Sequence, residues 1–391
     1  MITKIALKNV LAAGLRTWLN TFILALTMII IILLQGMYDG MMTQISKSRI
    51  SEELGNGQYW HKNYDPFDPL TLQDSHAEIP NPLKDAVQKR EAVPVLMISG
   101  SVYPRGRVLP AILKGIPANQ TILQLPFDKL STQSPEGTIA AMVGKRMARQ
   151  TQLAEGDIIT VQWRNSKGAF NAIDLIIVHI FESEVPAMDQ GQIWLSLSDL
   201  QKMNLSPQHA TIIISAKELD GEDLGGTWKS KVLRELLADT IELVKSKKAG
   251  GSIFYLMLIF LSMIAIFDTQ ALSIFKRRKE IGTLMALGMT NRAIAFTFTL
   301  EGLFHGIFAA VVTGVLGGPI FWYLQTYGYY IPVSAEQYGI PMSDHMIPDY
   351  SAGLIIQTVV IILILLTFIS YLPARKITKL QPYEALRGKW S

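Results

Sequence analysis

The sequence predicts an α-helical membrane protein with four transmembrane helices and a large α+β extracytoplasmic domain between helices 1 and 2. Three observations carry this prediction. Four apolar runs are each long enough to cross a bilayer as a helix. Residues 38–250, between the first and second runs, carry short strand-like segments separated by turn residues. Lys and Arg gather at one end of every run. The composition agrees, with 49% hydrophobic and only 17% charged residues among 391, against about 25% charged in soluble domains. Net charge is +4, and the basic residues cluster at span ends rather than on a soluble face, which gives no support to nucleic-acid binding. The chain has no Cys, so disulfides and thiolate metal sites are excluded while the compartment stays open.

The first span is expected at residues 18–36, preceded by Lys4, Lys8 and Arg16. It is long for a signal-peptide core, and Gln35-Gly36-Met37-Tyr38 offers no small-x-small cleavage site, so it reads as a retained anchor with its N-terminus inside. Three further spans are expected at 252–275, 293–324 and 351–372. Basic residues recur in the 276–292 loop and in the tail (Arg375, Lys376, Lys379, Arg387, Lys389). Segment 325–350 has none, only Glu336, Asp344 and Asp349. This pattern places both termini in the cytoplasm and the large domain outside. Lys245, Lys247 and Lys248 fall on the outer side, where long translocated loops escape the rule. The chain divides into 1–37 (lead-in and helix 1), 38–250 (outer domain) and 251–391 (helices 2–4, the 276–292 loop and tail 373–391).

Within the outer domain, strands are expected at 92–99, 109–114, 158–163, 175–181 and 211–215, rich in Val, Ile and aromatics. Turns fall at 103–106, 155–157 and 165–168. Helices are expected at 144–152 and 198–203, and over 227–244, where Val232, Leu233, Leu236, Leu237 and Ile241 share helical spacing. Residues 55–82, broken by Asp65-Pro66, Asp68-Pro69 and two further prolines, read as an irregular excursion.

Few residues suggest chemistry. A phosphate loop is nearest at 221–230, but Thr227-Trp228 separates Gly226 from Lys229, where the loop needs Lys directly after Gly. His61, Asp65, Asp68 and His76 could ligate a metal, but they lie in a proline-broken loop where Asp-Pro starts turns. His179, in an apolar strand near Glu182 and Glu184, is expected to pack. Inside the spans, Asp268, Glu301 and His305 are costly and so candidates for function. Glu301 and His305, at i and i+4, are expected to bond each other or a neighbouring helix as interhelical glue. Gly302, Gly306, Ala310, Gly314 and Gly318 recur every four residues, a groove for another helix of this chain or of a second one. The face turns by about 40° per step.

The most distinctive stretch is the 276–292 loop. Ile281, Leu284, Met285 and Leu287 follow a charged start, too apolar for a solvated loop, and Gly288 suits a helix end. Arg277-Arg278-Lys279-Glu280-Ile281-Gly282-Thr283-Leu284-Met285-Ala286-Leu287-Gly288 resembles the hallmark of the FtsX/MacB-type permeases of ABC transporters, the type VII or mechanotransmission class. Pro373-Ala374-Arg375, Pro382-Tyr383-Glu384-Ala385-Leu386-Arg387, and the lead-in Ala6-Leu7-Lys8-Asn9 with Arg16-Thr17 resemble the same family. Gly55-Asn56-Gly57-Gln58-Tyr59-Trp60 after Gly40-Met41, Val143-Gly144-Lys145-Arg146-Met147-Ala148 with Leu153-Ala154-Glu155-Gly156-Asp157, and Lys114-Gly115-Ile116-Pro117 resemble its lipoprotein-releasing LolC/LolE group.

This resemblance implies a permease subunit of the bacterial inner membrane that binds no cofactor and is not itself an enzyme. A separate cytoplasmic ABC ATPase would drive it. The 276–292 helix would contact that ATPase through Arg278, Glu280, Ile281, Leu284 and Leu287, with Gly282, Ala286 and Gly288 allowing close approach. A second permease chain, identical or paralogous, membrane lipid, a lipoprotein substrate and a periplasmic carrier are the other implied partners. Peptide or drug efflux in the MacB manner, and FtsX-like force transmission to a cell-wall hydrolase, are the alternatives.

Overall fold

A computed structural model describes residues 2–12, 14–221, 226–330 and 345–379. Glu336, Asp344, the motif at 382–387, Arg387 and Lys389, and part of the 221–230 stretch lie outside the described residues. The described residues form two compact units, one drawn from 2–42, 243–330 and 345–379, the other from 43–242.

Helix α1 (Ile2–Ala12) precedes α2 (Leu15–Arg49), which ends in a π-helical turn, Ile50–Leu54. The second unit then begins with β1 (Gly57–His61), β2 (Ala77–Glu78), α3 (Asn81–Gln88), β3 (Ala92–Val102) and β4 (Leu109–Ile116). It continues with β5 (Thr138–Gly144), α4 (Lys145–Thr151), β6 (Ile158–Arg164), β7 (Phe170–Phe181), α5 (Pro186–Asp189), β8 (Gln192–Ser196) and α6 (Leu197–Met203). It closes with β9 (His209–Ala210), β10 (Ile212–Ser215), β11 (Trp228–Val232) and α7 (Leu233–Leu236).

Nine of these strands make one sheet in the order β11-β1-β10-β3-β4-β8-β5-β7-β6. The long β3 changes partners along its length. Ala92–Val95 pairs with β10, Leu96–Val102 with β4, and Gly100–Val102 also with β6. The β3–β6 pairing closes six strands on themselves, as sheets do to remove open edges. One face of this ring carries Leu96, Ile98, Leu113, Ala141, Val143, Val161, Trp163, Leu175 and Ile193. The opposite face carries Val93, Val95, Met97, Ile116, Met142 and Trp194, the alternation that a pleated strand imposes.

All five expected strands are present, as are the helices at α4 and α6. Three corrections arise. The excursion at 55–82 contains β1, held between β10 and β11. Residues 227–244 begin as β11, because Trp228 is buried at the sheet edge and pairing with β1 outweighs the helical spacing. Strands β5 and β8 escape the sequence pattern because both faces are buried and no alternation shows.

Four helices among the described residues are long and apolar enough to cross a membrane: Trp18–Leu54, Ala238–Lys276, Asn291–Tyr327 and Ala352–Ile377. The second is α8 (Ala238–Lys276), followed by the short α9 (Arg278–Ala286). The third is not one continuous α-helix as expected. It is α10 (Asn291–Val312), a π-turn at Thr313–Gly317, and α11 (Gly318–Tyr327). The fourth is α12 (Ala352–Ala374), continued by a 3-10 turn.

The π-turn splits the small-residue stripe. A Cβ on Gly302 would overlap the Ser370 hydroxyl, and one on Gly306 would sit 2.5 Å from Leu366, so both glycines let α10 close on α12. Ala310 is partly buried against the cluster around Met28, Met263 and Ile362. Gly314 and Gly318 have nothing within 4 Å, while Gly317 faces Phe321 and Ile29. The first half of the stripe is therefore intrachain packing.

Candidate functional site: the short helix and its arginine clamp

The expected 276–292 helix is shorter than its sequence pattern. Helix α9 spans only Arg278–Ala286. Gly288 stops it at φ +91°, a left-handed conformation costly for any residue with a Cβ. The Gly288 N–H donates to Met285 O at 3.0 Å and the Met289 N–H to Leu284 O at 3.0 Å, the paired bonds of a Schellman end. Thr290 then caps α10, its hydroxyl accepting from the Ala293 N–H. Two helix ends in five residues leave no room for one continuous segment.

A nine-residue helix must bury its own apolar stripe to persist. Ile281 and Met285, at i and i+4, do so against Ile274, Ile294, Phe298, Ala374 and Ile377. This corrects the expected contact surface. Ile281 and Gly282 are buried within the chain, and Leu284 is half-buried. Lys279, Glu280, Thr283, Ala286, Leu287 and Gly288 are exposed, and Leu287 is 80% so. Arg278 lies along Phe275, donating Nε–H to its carbonyl at 2.9 Å.

Arg277, which the motif reading left without a role, organises the base of this helix. Its Nε and Nη2 donate to the Glu280 carboxylate at 2.7 and 2.8 Å, and Nη1 donates to both Glu301 oxygens at 2.9 and 3.2 Å. The guanidinium also lies 4.9 Å from the Phe298 ring centroid. Asn9 Nδ2 donates to Glu301 Oε1 at 2.7 Å. One guanidinium thus ties α9 to α10, and Glu301 brings in α1. The planar fork of arginine suits this double engagement, which the point charge of lysine cannot reproduce. The bonds from Arg277 hold the Glu280 carboxyl below its ordinary range, and the hydrogen bonds to Glu280 raise the guanidinium further.

Glu301 does not bond His305 as their spacing suggested. His305 is buried, and its Nδ1 has no hydrogen-bond partner among the described residues. It borders a polar cavity of about 320 Å³ with Asn20, Gln270, Arg277 and Glu301. Asp268 is exposed on α8. On the same unit, Lys248 pairs with Asp39 of α2 at 2.6 Å.

The outer-domain candidates disperse. Asp65 and Asp68 accept from the N–H groups of Phe67 and Leu70 as turn residues. His61 Nδ1 accepts from the Asn63 N–H. His76 faces His209, with their Nδ1 atoms 2.9 Å apart. His179 is not a packing residue, since its half-exposed ring pairs with Glu155 at 2.8 Å.

Residues 252–382 match the FtsX-like permease C-terminal family. The chain is 33% identical over 110 residues to the cell division protein FtsX of Bacillus subtilis, covering 28% of this chain and 35% of that one. It is 33% identical over 126 residues to an ABC transporter permease of Methanocaldococcus jannaschii, covering 32% of this chain and 29% of the relative. The chain thus spans about a third of these two relatives. It is 22% identical over 307 residues to the lipoprotein-releasing system transmembrane protein LolC of Xylella fastidiosa, covering 71% of this chain and 73% of LolC. The solved extracellular domain of the ABC-type transporter YknZ from Gram-positive bacteria aligns with 48% of this chain and 94% of its own at 13% identity. Its TM-score of 0.25 is too low to establish a shared fold. The FtsX-like permease C-terminal family thus accounts for residues 252–382, in a chain that also carries four candidate spans and a large α+β unit between the first and second.

Proposed function

We propose that this chain is the membrane subunit through which a separate cytoplasmic ABC ATPase drives lipoprotein release from the inner membrane. The observation that carries the reading is the Arg277 clamp. It connects an exposed nine-residue helix to a buried carboxylate on a membrane-spanning helix, so force on α9 has a charged, bidentate route into α10. The short basic segments at 2–16 and 276–292 support termini and α9 on the cytoplasmic side, with 38–250 in the periplasm.

In this reading the ATPase holds α9 by its exposed tip, with Leu287 as the apolar knob and Lys279, Thr283 and Ala286 beside it. Ile281 and Gly282 act from beneath, by seating the helix. Similarity to LolC extends over 71% of the chain, whereas similarity to FtsX covers 28%, which favours lipoprotein release over hydrolase regulation. The further partners in this proposal are a second permease chain and a periplasmic carrier.

The test is copurification from native membranes. Leu287→Asp is expected to insert normally and to lose an ABC ATPase that wild type retains; retention of that ATPase by Leu287→Asp would refute the contact. Purified complexes in proteoliposomes should then release a lipid-anchored protein to a soluble acceptor on ATP addition. Export of soluble peptide without lipoprotein release would favour the efflux alternative.

A further inference from the structure

The second unit contains a cavity of about 850 Å³, whose apolar and aromatic lining includes Leu54, Trp60, Met97, Trp194 and Ile214 around Lys114, and whose charged lining includes Arg49, Glu53, Asp65, Lys229, Lys231 and Glu235. That volume lies within the range of small-molecule sites, about 300–1,000 Å³. Its floor is one face of the sheet. Register places Met97 on β3, Lys114 on β4, Trp194 on β8 and Met142 on β5 in a row. On β4, Ile112 and Ile116 flank Lys114 on the same face. A lysine thus occupies a position where every neighbour in strand and row is apolar or aromatic.

Lysine is almost never buried without a partner. Lys114 is 8% exposed, yet no hydrogen-bond acceptor reaches its Nζ among the described residues; it lies 5.1 Å from the Trp194 ring centroid. The nearby acid, Glu53, is taken by Arg49 at 2.9 Å, and Arg49 itself is held by Thr240 Oγ1 at 2.8 Å. Trp194, 2% exposed, has an indole N–H that is also without a partner. Trp60, on the same cavity, satisfies its N–H on Gln58 at 2.6 Å. Two donors with no acceptor among the described residues, the Trp194 N–H fully buried, therefore belong to residues that line one cavity. Such groups cost free energy unless something accepts from them.

We propose that this cavity binds an amphipathic monoanion, a single carboxylate or phosphate head on an apolar chain, with the head at Lys114 Nζ and Trp194 Nε1. Both unpartnered groups donate, so the head must accept, and a negative head also neutralises the ammonium. The walls of Leu54, Met97 and Ile214 receive the chain. Burial without an acceptor holds the Lys114 ammonium down to about 8, which an anionic head would reverse.

The full chain in nanodiscs, pulsed with an acetylating reagent at pH 8 and read by site-resolved mass spectrometry, tests this. Octanoate or octyl phosphate is expected to slow acetylation of Lys114 at least tenfold while leaving Lys202, on an exposed side chain, unchanged. Whichever of the two protects identifies the head. Equal protection by octanol, no protection by either anion, or no acetylation of Lys114 in the unliganded chain would each overturn the proposal. A displacement assay with a fluorescent fatty acid adds a second readout. Lys114→Met, which matches Met97 and Met142 in the row, should weaken octanoate at least tenfold and Lys114→Arg should not; unchanged affinity in Lys114→Met overturns the site.

Discussion

Glu301 and Lys114 are both buried charges, and the two units treat them in opposite ways. Glu301 receives three bonds, Arg277 and Asn9 between them satisfying its carboxylate. Lys114 donates none among the described residues and lies only against the Trp194 ring. The energetics of a buried charge turn on its partners, so a satisfied group holds elements in one geometry, whereas an unsatisfied one marks a place where a partner must come and go. The first unit thus uses its buried charge as a fixed joint, and the second keeps one open.

The largest expected effect comes from breaking the joint. Glu301→Ala leaves the Arg277 guanidinium half-buried with one partner gone, a loss of about 3–5 kcal/mol for a broken buried pair. It should lower the thermal midpoint of the detergent-solubilised chain and the yield of folded protein. Adding Arg277→Met should recover part of that loss; a strictly additive double variant would show that the two groups are independent.

Next is the open charge, with pH as the lever. The Lys114 ammonium titrates near 8 in the fold and near 10.5 when unfolded. Between those values the unfolded chain binds a proton that the folded chain has released, so stability rises with pH across that window. The penalty carried below pH 8 is about 3 kcal/mol. Denaturant unfolding followed by tryptophan fluorescence should show the rise, and Lys114→Met should abolish it. A flat profile in wild type would remove the contrast with Glu301.

Smaller effects probe the packing around the joint. Gly302→Ala should cost about 1–3 kcal/mol through overlap with Ser370. Gly314→Ala, in open space, should be neutral or slightly stabilising. Equal effects in the two would mean that the stripe acts as one unit. Smallest of all on stability is Leu287→Asp, within about 0.5 kcal/mol at an exposed position. Ile281→Asp, by contrast, should unseat α9, as judged by proteolysis at 287–290.

The spans were legible because about twenty apolar residues in a row have few alternatives to crossing a bilayer. Strands β3, β4, β6, β7 and β10 were legible from their Val, Ile and aromatic content. Strand β1 was hidden by the prolines that follow it, and β11 by helical spacing in Val232, Leu233 and Leu236. In the site, the motif drew attention to α9 and to Gly288. It did not show that Ile281 and Gly282 are buried within the chain, because apolar periodicity reveals that a face is buried without saying whether the same chain or another one covers it. Arg277 opened the motif but received no role of its own, since a basic residue at a span end already satisfies the topology rule.

By itself the sequence determined the class, four spans with a large α+β insertion, and the family of its permease region, because bilayer thickness and local motif chemistry act along the chain. Which charges find partners was decided only in the tertiary structure. Asn9, Arg277 and Glu301 are far apart in sequence, and Lys114 meets Trp194 only through strand register. Burial and hydrogen bonding are properties of groups brought together across the fold, and no local pattern encodes them.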